Sequence, residues 1–335
     1  MMSSVEIHTK KEEIEKANAD IGENKNESQN KYYCSVKQLL IIVVPITAVL
    51  LFAAIFVPVY IMEKKNDDDD EKPVENNIYY YENQGHDEFE ETIINDTYAI
   101  LTPKYGYDNI LIFLGGISDV STKYWDFFKS RETFVPIRTK IYFLSGQKRE
   151  MQFMIDYYKD PRPYCGWFNI DKFASLRPTP GDFTEAKKSL KLVLDEIDRI
   201  KTVENVDYKK IYLSGFSQGA MMTNYILLNS RFELGGYIAF SGYVFDDDFS
   251  ENTVIYDMSE QQKSKIEARK NYHILATHSF SDDAVFYQLS AESYRFYYQN
   301  YTDFKLLSFG NLRHVFPEQP IHPYVRKWLK ESMER

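Results

Sequence analysis

Gly215-Phe216-Ser217-Gln218-Gly219 stands between the apolar run KIYLSG (210–215) and the apolar stretch AMMTNYILL (220–228). A strand, a sharp turn and a helix in succession are the context in which G-x-S-x-G becomes a nucleophile elbow. Glycines two residues to either side of the serine relieve crowding, so its oxygen can project above the end of the sheet. The pentapeptide alone is a cheap pattern; its place at a strand end gives it weight.

Working outward, further short β-rich runs follow one another: NILIFL (109–114), KIYFLS (140–145), GYIAFSG (236–242), YHILATH (272–278) and FKLLSFG (304–310). Amphipathic stretches lie between them. DFTEAKKSLKLVLDEIDRI (182–200) puts Ala186, Leu190, Val193, Leu194 and Ile197 at helical spacing, and the final turns do the same with Val325, Trp328 and Leu329. The aromatic-rich stretch 284–301 reads as another helix, with Phe286, Leu289 and Tyr297 on its packed face. Strands alternating with helices build a mostly parallel sheet covered on both faces, a three-layer α/β fold.

A serine nucleophile needs a base, and the base needs an orienting acid. On such a sheet the chain order is Ser, then Asp or Glu, then His, with the last two beyond later strands. Asp282 and Asp283 follow the strand YHILATH, and His314 follows FKLLSFG. His8 and His86 precede the sheet, His273 lies inside a strand, His278 stands before the acid loop and His322 opens the last helix, which leaves His314 as the well-placed base. The triad logic does not choose between the two aspartates.

The chain has 335 residues, 44% of them apolar and 16% aromatic, so it must fold and not remain a disordered polymer. With 40 Lys and Arg against 50 Asp and Glu, its net charge of -10 argues against a nucleic-acid partner bound through phosphates. Residues 1–38 read as a polar tail. Leu39–Met62 holds 24 residues without a charge. At about 1.5 Å per residue such a helix exceeds a hydrocarbon core of about 30 Å, so a single-pass membrane anchor is expected. Residues 63–77 form an acidic linker and 78–335 the catalytic domain. Lysines flank the span on both sides, so charge does not orient it, and the sequons Asn95-Asp96-Thr97 and Asn300-Tyr301-Thr302 lean toward a lumenal or extracellular domain. Cys34 and Cys165, on opposite sides of that span, make neither a disulfide framework nor a zinc site.

Residues from about 108 to 320 resemble the phospholipase/carboxylesterase family of α/β-hydrolases, which includes acyl-protein thioesterases and lysophospholipases. The family's Gly-Phe-Ser-Gln-Gly elbow matches 215–219 residue for residue. Its His-Gly-Leu-Gly-Asp loop with a following tryptophan is similar to Phe113-Leu114-Gly115-Gly116-Ile117-Ser118-Asp119 with Trp125. Its Pro-Ser-Trp-Phe-Asp segment looks like Gly166-Trp167-Phe168-Asn169, and its His-Gly-x-x-Asp-x-x-Val loop like His278-Ser279-Phe280-Ser281-Asp282-Asp283-Ala284-Val285. Its Gly-His pair corresponds to Arg313-His314. That register selects Asp282 as the acid.

The resemblance implies an α/β-hydrolase fold behind the membrane helix and acyl transfer by Ser217, His314 and Asp282. The oxyanion donors would be the main-chain N–H groups of Ile117 and Gln218, with Trp167 and Phe168 against the substrate. This chemistry calls for no metal and no organic cofactor. The substrate would be an acylated lipid, an acyl-protein or a small ester, cleaved at a carboxylic ester or thioester bond. Gly115, Ser279 and Arg313 depart from the family pattern and bear on loop geometry and efficiency. Two other readings are a catalytically weak hydrolase-fold scaffold for membrane interactions, and a serine peptidase or other acyl hydrolase. The stretch 145–181, rich in Met151, Phe153, Met154, Tyr164 and Trp167, reads either as an apolar substrate wall or as a loop packed over the sheet.

Overall fold

Alternation along the central strands explains the layers. In β3 (Asn109–Leu114), Ile110, Ile112 and Leu114 join one core while Leu111 and Phe113 join another on the opposite face. In β4 (Thr139–Leu144), Tyr142 and Leu144 take the first face and Ile141 and Phe143 the second. A strand buried on both faces reads as a continuous apolar run, which is why NILIFL was legible.

The structure is a computed structural model that describes residues 88–170, 183–245, 260–310, 312–316 and 320–335. These belong to the unit Glu82–Arg335. The tail 1–38, the segment 39–62 and the linker 63–77 lie outside the described residues.

Besides β3 and β4, the main sheet contains β1 (Phe89–Asn95), β2 (Tyr98–Pro103), β7 (Ile211–Phe216), β8 (Gly236–Phe240), β9 (His273–Ser279) and β10 (Asp303–Phe309). Their spatial order is β1-β2-β4-β3-β7-β8-β9-β10. β2 pairs antiparallel with both neighbours, and every pairing from β4 through to β10 is parallel. A separate two-stranded ribbon joins β5 (Lys148–Arg149) to β6 (Tyr164–Cys165).

One face of the sheet is covered by α3 (Phe183–Val203), α4 (Gln218–Asn229) and α6 (Tyr287–Asn300), which contribute Val193, Ile226 and Tyr294 among others to that core. The other face carries α1 (Trp125–Lys129) and α7 (His322–Met333), with Phe128, Val325 and Leu329 buried. The short helices α2 (Gln152–Tyr158) and α5 (Glu260–Glu267) and a 3-10 turn at Tyr208–Lys210 complete the described elements. The three-layer, mostly parallel architecture expected from the sequence is the observed one.

Two expectations change, and one hairpin, β1–β2, carries no signal in the sequence. β1 is an edge strand that pairs only with β2, so its sequence FEETIIN has no buried alternation and leaves Ile93 and Ile94 exposed. Phe286 caps α6 and is half exposed, while Leu289 and Tyr297 are buried as expected.

The single-pass membrane location expected from Leu39–Met62 is not upheld. Among the described residues no helix is long and apolar enough to cross a membrane, and residues 39–62 themselves are not described. The longest described helix, α3, has 21 residues but is amphipathic: Ala186, Val193 and Ile197 face the sheet, and Lys191, Asp195 and Lys201 interrupt any apolar window.

Candidate active site

Ser217 sits between the end of β7 and the first residue of α4 with φ 56° and ψ -119°, a strained conformation for a residue with a side chain. The surroundings hold it there. Its N–H donates to the Phe240 carbonyl at 2.9 Å, and its carbonyl accepts from Met221 at 3.0 Å. A Cβ on Gly219 would lie 2.1 Å from the Leu114 oxygen, and one on Gly215 would lie 2.3 Å from the Gly219 oxygen. Both elbow glycines are therefore dictated by close backbone approach, which the sequence pattern implied.

β9 and β10 are parallel neighbours, so the loops that leave their carboxyl ends lie side by side. The first carries Asp282 and the second His314. His314 Nδ1 lies 2.8 Å from Asp282 Oδ2, and its Nε2 lies 2.8 Å from Ser217 Oγ. The other carboxylate oxygen, Asp282 Oδ1, accepts the N–H groups of Ala284 at 3.0 Å and Val285 at 2.7 Å. A buried carboxylate so held faces the imidazole as an acceptor and fixes its tautomer. Phe216 stacks on the His314 ring with centroids 4.8 Å apart, limiting the ring to the plane that reaches Ser217.

The fully buried His278 also lies near the acid, with Nε2 3.5 Å from Asp282 Oδ2 and 2.7 Å from the Val285 carbonyl. Burial pushes its basicity down, so it stays neutral beside the carboxylate.

The loop after β3 brings Gly116 against the elbow: a Cβ there would be 3.2 Å from Ser217 Cβ. Asp119 is buried and shapes this loop, accepting Gly116 N–H at 2.8 Å and the Tyr124 hydroxyl at 2.9 Å. The N–H of Ser118, with φ 65°, donates to the Cys165 carbonyl at 2.8 Å. The amides on both sides of Ile117 thus have fixed partners. Gln218 opens α4, and a helix's first N–H has no acceptor within its own helix.

Trp167 and Phe168 are not arranged as a substrate surface. Trp167 is 4% exposed and Phe168 0%, and both join the core beneath the site with Met151 and Phe153. Of the two readings of 145–181, its described part follows the packed loop; residues 171–181 are outside the described residues. Among the described residues no group of His, Cys, Asp and Glu is placed to hold a metal ion.

A family model described as Phospholipase/Carboxylesterase matches residues 95–329. The chain belongs to that family. A relative, the probable carboxylesterase SOBER1-like of Arabidopsis thaliana, is 24% identical over 168 residues, which is 50% of this chain and 59% of the relative. Acyl-protein thioesterase 1 of Eremothecium gossypii is 31% identical over 80 residues, 24% of this chain and 33% of that protein. The matches thus span 59% and 33% of these relatives' lengths. Among solved structures, Arabidopsis thaliana SOBER1 superposes with a TM-score of 0.51 at 20% identity, covering 67% of this chain and 99% of that one. Zea mays acyl-protein thioesterase 2 gives 0.54 at 16% identity, covering 71% and 100%. At those identities the likeness is one of fold, and the fold is that of the α/β-hydrolases.

Within this phospholipase/carboxylesterase chain, two of the three departures join the acid loop to the histidine loop. Ser279 Oγ donates to the Leu312 carbonyl at 2.5 Å. Arg313 Nε donates to Asp283 Oδ2 at 2.6 Å, and Asp283 Oδ1 accepts the His314 N–H at 3.1 Å. Gly115, the third, lies where a Cβ would be 3.0 Å from Asp119 Cβ and 3.2 Å from Ser145 Oγ. Asp283 was legible only as a rival acid, since nothing local distinguishes a carboxylate that orients a ring from one that holds a main-chain amide.

Proposed function

We propose that this phospholipase/carboxylesterase-family protein is a serine hydrolase that cleaves carboxylic ester or thioester bonds through Ser217, His314 and Asp282. The observation that carries the reading is the imidazole of His314, 2.8 Å from both Asp282 Oδ2 and Ser217 Oγ. Ser217 Oγ attacks the acyl carbon as His314 Nε2 takes its proton. Asp282 stabilises the imidazolium that forms. The tetrahedral oxyanion is met by the N–H groups of Ile117 and Gln218, the latter also at the positive end of the α4 dipole. His314 then protonates the leaving alcohol or thiol, and water attacks the acyl-enzyme by the same route in reverse.

An acylated protein or lipid is the substrate class that the family relatives suggest, two of the proteins named above being acyl-protein thioesterases. The test is fluorophosphonate labelling of the full chain beside Ser217→Ala and His314→Ala. Labelling lost in both variants is the expected result, followed by turnover of acyl-thioester and lysophospholipid substrates. A folded wild type that takes no label would overturn the reading in favour of a non-catalytic scaffold.

A further inference from the structure

One buried segment touches both halves of the expected oxyanion site. It runs from Cys165 to Phe168 and is held by side chains drawn from distant parts of the chain. The Gln218 carboxamide grips it at two points: Oε1 accepts the Trp167 N–H at 2.8 Å, and Nε2 donates to the Phe168 carbonyl at 2.7 Å. These opposite roles fix which end of the amide is which. Trp167 in turn donates its indole Nε1–H to the Gly115 carbonyl at 2.8 Å, and Cys165 accepts from Ser118 N–H at 2.8 Å. Ser189 Oγ on α3 donates to the Trp167 carbonyl.

The side chains that hold the segment are withdrawn from water: Gln218 and Phe168 are 0% exposed, Ser189 2% and Trp167 4%. Gly166 lets the segment approach, since a Cβ there would lie 3.3 Å from Gln218 Oε1 and 3.1 Å from Met151 Sδ. The first residue of a helix is usually a solvent-facing position, so a fully buried glutamine there is costly unless all its hydrogen bonds are made. Here the bonds run to a segment that also anchors the loop carrying Ile117.

We infer that the Gln218 carboxamide and the Trp167 indole are positioning residues that lock the Gly115–Ile117 loop to the nucleophile elbow, so that the two oxyanion N–H groups are preorganised. The inference rests on the serine hydrolase reading above. Oxyanion stabilisation depends on donors fixed before charge develops, and loss of one donor costs about 100- to 1,000-fold in rate. A donor left in place but loosened costs less, on the order of 10- to 100-fold.

The experiment uses the full chain, its Trp167→Phe variant, which keeps a ring but removes the indole donor, and Gln218→Met, which keeps length but removes both amide contacts. Gln218→Glu is a third variant, nearly isosteric, that loses the donor to the Phe168 carbonyl. Turnover of a p-nitrophenyl ester is measured together with inhibition by a trifluoromethyl ketone, which forms a tetrahedral oxyanion adduct, and with thermal unfolding. The expected result is a kcat about 10- to 100-fold lower, KM within about threefold, and ketone affinity falling in step with kcat/KM. A residue that only fills space would lower the melting temperature without moving ketone affinity. Any of the three variants that folds cooperatively with kcat/KM and ketone affinity within twofold of wild type overturns the inference and leaves the proposed hydrolase intact. A wild type that neither turns over the ester nor accepts fluorophosphonate overturns both.

Discussion

Asp283 meets His314 through the main chain: its Oδ1 accepts the His314 N–H at 3.1 Å, while the adjacent Asp282 takes the imidazole. Consecutive aspartates therefore hold the backbone and the ring of one residue. The acid loop gains two more ties to the histidine loop, from Ser279 to the Leu312 carbonyl and from Arg313 to Asp283. β9 and β10 bring the loops alongside, and these bonds set their relative position.

The two carboxylates should separate by size of effect. Asp282→Asn keeps an acceptor for the Ala284 and Val285 amides, so the loop survives, but its NH2 imposes the wrong imidazole tautomer. A fall in kcat of about 10⁴-fold is expected. Asp283→Asn retains a carbonyl for the His314 N–H and should cost no more than about tenfold. Steady-state kinetics on both variants with one ester decides it, and equal losses would dissolve the division of roles.

Arg313 is an exposed partner, its side chain 83% accessible, so its ion pair with Asp283 contributes little to stability. Arg313→Ala should lower it by less than about 1 kcal/mol in urea unfolding. The His314 N–H, with Arg313 beside it, holds the Asp283 carboxyl below the usual carboxylate range. A depressed folded value makes this contribution present above the unfolded pKa of about 3.9 and lost as pH falls through the lower folded one. Stability differences between wild type and Asp283→Asn should thus be constant from pH 8 to about pH 5 and shrink only in stronger acid.

Glycine positions give a paired test. Gly219→Ala forces a Cβ to 2.1 Å from the Leu114 oxygen, so the elbow and the end of β3 must separate, at a cost of about 3 kcal/mol or more. A Cβ on Gly310 meets nothing within 4 Å, and Gly310→Ala should change stability by no more than about 0.5 kcal/mol. Urea midpoints measure both. A tolerated Gly219→Ala would mean that the elbow does not pack as described.

His322 is buried among Phe127, Phe134, Phe240 and Phe316, and among the described residues its Nε2 has no hydrogen-bond partner. Burial, reinforced by Arg326, pushes its pKa from 6.5 down to about 4. A base whose folded pKa is lowered is protonated first in the unfolded chain, so stability falls as pH drops from 6.5 toward 4. His322→Phe should remove up to about 3 kcal/mol of that fall. Unfolding free energies at pH 7 and pH 4.5 measure it, and a pH dependence unchanged by the substitution would show that the folded His322 binds its proton as readily as the unfolded chain does.

Some of this molecule was written in its local sequence. Continuous apolar strands such as NILIFL announced a sheet covered on both faces, and GFSQG at the end of KIYLSG announced a strained turn. Those signals survive without a structure because they report short-range constraints: side-chain alternation along a strand, and the room a sharp turn needs. β1 gave no such signal, since an edge strand exposed along most of its length has no reason to alternate.

Tertiary structure alone decided the rest. Ser217 and His314 meet across 97 positions, and Trp167 and Gln218 across 51. That Asp283 holds the His314 main-chain N–H, and whether Trp167 faces a substrate or braces a loop, depend on where separate strands end relative to one another. No local period encodes that distance. It is set when the sheet closes its register and the buried polar groups of the intervening loops must find partners.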